Sequence, residues 1–129
     1  MDIEAETLTT FEINPDGTRV RMNGAAADGR PVSLSLPSEC VNQLAMTLPR
    51  MASEALRRRY KDDSLRVVYP AAAWRIEQGH GDGDSLILTL GTPDGFEVSF
   101  AIGPEKMSAI EAEVRKARRA ERRSERRVN

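Results

Sequence analysis

The stretch Gly79-His80-Gly81-Asp82-Gly83-Asp84 concentrates ligand-type side chains more tightly than any other part of the chain, and it holds the only histidine. His80, Asp82 and Asp84 alternate on a glycine backbone and could supply two or three of the three or four ligands that zinc or another transition metal takes. Calcium fails on spacing. A wrapped calcium loop closes with a bidentate acid further on, but SLILTL follows Asp84 and the next acid is Asp94. A thiol nucleophile would need the only cysteine, Cys40, to meet His80. Cys40 falls at the start of an expected helix, where thiol pKa values drop, but a small side chain beside the apolar Val41 fits packing better than catalysis. P-loop, GxSxG, HExxH and GxGxxG spacings are all missing from the sequence. The expectation is therefore a chain that is not an enzyme, with no cofactor and no metal, in which GHGDGD is a solvated hairpin loop.

The C-terminus carries the stronger signal. Residues 115–129 hold Arg115, Lys116, Arg118, Arg119, Arg122, Arg123, Arg126 and Arg127 against two glutamates, a net charge of +6, whereas residues 1–114 carry −7. On a helix, Arg118/Arg122, Arg119/Arg123, Arg122/Arg126 and Arg123/Arg127 are like-charge neighbours, and each pair is unfavourable. Such a segment orders when carboxylates or phosphates neutralise it. The function expected is a non-enzymatic binding or regulatory domain that contacts an acidic protein surface through this helix; the alternative is a nucleic-acid-binding protein using the same tail and an Arg/Ser sheet face. A secondary basic patch is expected from Arg57, Arg58 and Arg59, together with Arg19, Arg21 and Arg75, which strand alternation places beside Ser33, Ser35 and Ser99 on a solvent face. That face shows no aromatic side chains on which bases could stack. Its small side chains would also let the sheets of a homodimer approach closely.

These side chains need a scaffold, and 129 residues provide for one domain with a single core. No apolar run reaches bilayer length, the N-terminus is acidic and unlike a secretory leader, and a lone cysteine suits a reducing compartment. The expectation is a cytoplasmic protein with no membrane partner.

The chain also repeats itself. Residues 28–44 laid over 94–110 share Asp-Gly, Val-Ser and the Glu39/Glu105 column, and exchange apolar residues at Leu34/Phe100, Leu36/Ile102, Val41/Met107 and Leu44/Ile110. Val20 and Met22 fall on Leu86 and Leu88 at the same offset of 66, while Phe11–Ile13 resembles Trp74–Ile76 at an offset of 63, so GHGDGD reads as a turn enlarged by three residues. The halves, about 1–60 and 64–114, form one domain, 1–114, followed by a basic extension, 115–129.

Alternation predicts strands at Leu8–Ile13, Thr18–Asn23, Pro31–Leu36, Leu65–Tyr69, Ala71–Gln78, Ser85–Leu90 and Phe96–Ile102. Helical spacing predicts one helix capped by Ser38 and interrupted at Pro49, with Val41, Leu44, Leu48, Met51 and Ala55 on its apolar side. A second starts at Pro104, with Met107, Ile110, Val114 and Ala117 on one side. The fold expected is α+β: a largely antiparallel six- or seven-stranded sheet with two helices on one face, Trp74 and Phe100 pointing inward.

Overall fold

A computed structural model describes residues 1–79 and 85–128. The chain divides into two units at Val67/Val68. The first contains β1 (Thr7–Ile13), β2 (Arg19–Ala25), β3 (Pro31–Pro37) and α1 (Ser38–Tyr60); the second contains β4 (Ala73–Gln78), β5 (Leu86–Gly91), β6 (Glu97–Ile102) and α2 (Pro104–Val128). The class is α+β, as expected, but each unit has its own antiparallel three-stranded sheet, β1-β2-β3 or β4-β5-β6, in place of one sheet of six or seven strands.

The expected strand at Leu65–Tyr69 is absent, and side chains of α1 explain why. Arg57 Nε donates to the Leu65 carbonyl at 2.9 Å, and the Val67 N–H donates to Ser53 Oγ at 3.2 Å. Leu65 and Val67 are half-buried there. Backbone groups that a ladder would use are thus taken up by the helix.

Three hairpin turns share an Asp-Gly end. In Asn14–Gly17, Ala26–Gly29 and Thr92–Gly95 the glycine N–H returns to the first residue's carbonyl at 2.9, 2.9 and 3.1 Å. The glycines sit at φ of 72°, 86° and 94°, where a Cβ is strained. Asp16 Oδ1 accepts from the Thr18 N–H at 3.0 Å and its hydroxyl at 2.6 Å, Asp62 Oδ1 accepts from the Ser64 N–H at 2.9 Å and its hydroxyl at 2.6 Å, and Asp94 accepts from the Thr92 hydroxyl. These bonds favour the charged form and hold all three carboxyls below the ordinary aspartate range. A carboxyl whose pKa is lowered by folding stabilises the fold above its unfolded value, near pH ~4, and that contribution disappears as pH falls through the folded value. The denaturant midpoint is expected to fall as pH drops below about 4, and a triple Asp16→Asn, Asp62→Asn, Asp94→Asn variant is expected to show a shallower fall. Equal slopes in the two proteins would count against the turns as its source.

The first helix follows β3 with no intervening residue. Pro37 takes the cap position and has no polar side chain to bond; the Ser38 N–H donates to the Thr18 carbonyl at 2.8 Å and extends the β2–β3 ladder into the first helical residue. Ser38 is therefore not the cap. α1 also runs in one piece through Pro49, which lacks the N–H that would bond the Ala45 carbonyl. Its end is marked by Lys61 in the left-handed region at φ 52°, with the cap N–H on the Arg57 carbonyl.

Register sorts the strand residues by face. In the first sheet Leu8–Gly24–Val32, Phe11–Met22–Leu34 and Ile13–Val20–Leu36 line up on one side; Thr10–Asn23–Ser33 and Glu12–Arg21–Ser35 line up on the other. Leu8 and Phe11 are three residues apart and would point oppositely in a regular strand. A bulge at Thr9 brings them to one face. In the second sheet Trp74–Leu90–Val98, Ile76–Leu88–Phe100 and Gln78–Leu86–Ile102 share the apolar side.

With Gly24 matched to Leu90, Leu8 corresponds to Trp74, Phe11 to Ile76 and Ile13 to Gln78. This replaces the offset of 63 for the first strand. Six residues, 14–19, join the paired Ile13 and Val20, and seven, 79–85, join Gln78 and Leu86, so the second turn gains one residue rather than three. The bulge at Thr9 supplies the compensating residue in the first half.

Candidate partner-binding surfaces

All eight bases of the expected contact element, Arg115, Lys116, Arg118, Arg119, Arg122, Arg123, Arg126 and Arg127, lie on α2, which continues without a break past Val114. Every residue from Ser108 to Arg127 is exposed. Among the described residues none of the eight lies within ion-pair distance, 4.0 Å, of a carboxylate. At about 100° per residue the eight fall within about half of the helix circumference, leaving Met107, Ile110, Val114 and Ala117 on the opposite side. The basic half of α2 is a one-sided cationic surface on an amphipathic helix.

The secondary patch is engaged differently. Arg57 pairs with Glu54 at 3.6 Å besides holding Leu65, and Arg58 Nε meets the same carboxylate at 3.0 Å. Arg59 lies 5.5 Å from the centroid of the Tyr60 ring. On the polar face of the first sheet Arg19 Nε donates to Ser35 Oγ at 3.2 Å, and Arg21 lies 3.9 Å from Glu12. Ser33 Oγ donates to Asn23 Oδ1 at 2.9 Å. In the second unit Arg75 meets Glu77 at 2.6 Å and Glu97 at 3.3 Å. The hydrogen bond and charge of Glu77, aided by Glu97, raise the guanidinium's pKa above its usual value. Ser99 Oγ and Thr89 Oγ1 are 2.8 Å apart, and Thr89 is buried.

Comparison with protein-family models, curated proteins and solved structures finds no match.

Of the remaining candidates, His80, Asp82 and Asp84 lie outside the described residues. Cys40 is half-buried in the first turn of α1. Among the described residues no three His, Cys, Asp or Glu side chains cluster at metal-binding distance, and no helix is long and apolar enough to cross a membrane.

One surface escaped sequence reasoning. Alternation places Trp74 and Phe100 on an apolar face, but they are 73% and 54% exposed instead of pointing into a core. Phe11 on the equivalent face of the first sheet is 69% exposed. The sequence holds a clue: strands this regular in apolar alternation need a comparably wide apolar cover, and the Arg-rich half of α2 cannot supply it.

Proposed function

We propose that this chain is a non-enzymatic binding domain whose basic half of α2 contacts an acidic protein surface. The observation that carries the reading is the contrast in how arginines are used. Arg21, Arg57, Arg58 and Arg75 are neutralised by neighbouring carboxylates. The bases of α2 are exposed, fall on one side of the helix and have no carboxylate within ion-pair distance among the described residues. A surface of like charges is unfavourable by itself and gains when opposite charge is brought to it.

The test is direct binding of a polyglutamate probe to the full chain and to a variant with Arg118, Arg119, Arg122 and Arg123 changed to Glu. The full chain is expected to bind, and the reversed variant to lose at least about tenfold in affinity, about 1.4 kcal/mol. Equal binding by both proteins would remove the basic half from the reading. Nucleic-acid binding is the competing outcome: duplex DNA would win over polyglutamate, and log affinity would fall against log salt with a slope near −0.9 per phosphate contacted.

A further inference from the structure

The second unit leaves two apolar surfaces without cover. On its sheet, Trp74, Ile76, Leu90 and Phe100 are 73%, 47%, 39% and 54% exposed. On its helix, Ile110 and Val114 are 46% and 45% exposed, in a stripe with Met107 and Ala117. Burial of an apolar stripe, rather than helix propensity, supplies most of the stability of a helix in a protein. Along this stripe only Met107, in the first turn, is half-buried. The joint between this sheet and its helix is short. β6 ends at Ile102 and α2 begins at Pro104, so Gly103 alone connects them, whereas a strand-to-helix reversal ordinarily takes about two to six residues.

We propose that the apolar face of the β4-β5-β6 sheet and the apolar stripe of α2 are covered by the same surfaces of a second copy of this chain, with the two α2 helices antiparallel. Charge points to a copy. The first part of α2, 104–114, carries Glu105, Glu111 and Glu113 against Lys106, and 115–128 carries the eight bases against Glu121 and Glu125. An antiparallel pair with the stripes facing, centred near residue 112, sets Arg115, Lys116, Arg118 and Arg119 beside the other helix's first turns with Glu105, and a parallel pair would set like beside like. A twofold axis requires this kind of self-complementary surface. The chain as a whole has the same complement, −7 over 1–114 and +6 over 115–129. Trp74 and Phe100 provide the anchors, since aromatic side chains bury about 150–250 Å² each when covered and are enriched at the centres of such contacts. The apolar surfaces carry this inference; the charges of α2 set only the direction of the pair, in which the second copy's acidic segment competes with the acidic partner proposed for the basic half.

Sedimentation equilibrium on the full chain tests it, with Trp74, the only tryptophan, as reporter. A mass of twice 14.3 kDa is expected, falling toward 14.3 kDa on dilution while Trp74 emission moves to the red. A double Ile110→Glu, Val114→Glu variant is expected to weaken association by at least about tenfold; these residues are exposed in the isolated chain, so its secondary structure should be kept. Should the variant lose its fold, the dilution series on the unaltered chain decides. A monomer at every concentration overturns the proposal, whether Trp74 is wet or shielded, and so does a dimer unaffected by the double change with the fold intact. Polyglutamate binding by a monomer would leave the basic-helix reading standing and remove this one.

Discussion

A Gly24→Ala variant loses about 2 kcal/mol or more of stability, the largest effect of any single change considered. Gly24 is buried opposite Leu8 in β1 and Val32 in β3. A Cβ built there falls on the Thr7 carbonyl oxygen, far inside van der Waals contact, and also meets Val32 Cγ2 at 3.5 Å. The oxygen belongs to backbone, so no rotamer change relieves the clash; β1 must move and give up pairing around its bulge. The change also removes a flexible residue from the unfolded chain, which returns about 0.4–1 kcal/mol and is too little to offset the clash. Thermal unfolding reads the result, at about 4–8 °C per kcal/mol for a unit of this size. Gly103→Ala is the control, since a Cβ there meets nothing within 4 Å. Equal melting of the two variants would mean that β1 does not pass as close to Gly24 as the bulge requires.

The second large effect is expected at Arg57. Changing it to alanine removes the hydrogen bond to the Leu65 carbonyl and the pair with Glu54 together. Bonds from charged donors contribute about 1.5–3 kcal/mol, and a guanidinium that keeps some contact with water falls at the low end. The expected loss is about 1.5 kcal/mol, with faster proteolysis between residues 61 and 72. Arg58→Ala, an exposed i,i+4 pair with the same Glu54, is expected to cost about 0.3–0.5 kcal/mol. Two neighbouring arginines on one helix would then separate into one that fastens the chain and one that decorates it. Matching losses for the two would deny Arg57 that fastening part.

Six of the expected strands were legible because alternation of apolar residues needs only local sequence. Val32, Leu34 and Leu36 in β3 and the apolar residues of β6 show this. The turns were legible from Asp-Gly, whose glycine takes a positive φ in each hairpin described. Partnership was not. Leu65–Tyr69 has strand-like composition, but its backbone is claimed by Arg57 and Ser53 from a helix that alternation cannot see. Nor does alternation say which edges pair, so two sheets and one sheet look alike in sequence. The bulge at Thr9 leaves no mark except Leu8 and Phe11 falling out of phase. At the candidate surface, the bases of α2 were visible as composition. Their contrast with Arg57 and Arg58 was not available in spacing, since Glu111 and Glu113 stand four and three residues before Arg115 and Lys116 as Glu54 stands before Arg58 and Arg57; the pair of Arg75 was visible in the same-face Glu77 two residues on. Period two did not report exposure of Trp74 and Phe100, because it says which residues share a face and not what lies over it; the one hint was an Arg-rich half of α2 too polar to cover the sheet.

The single-residue joint at Gly103 makes α2 a lever. Its 25 residues extend about 37 Å at 1.5 Å per residue, and a tilt of about 10° at the joint carries the far end through roughly 6 Å, more than a full helical turn's rise. A small change at β6 would therefore carry the arginines at that end through a wide arc. An acidic partner of the kind proposed would meet the same charged side anywhere in that arc, and its capture would pull directly on the edge strand of the sheet.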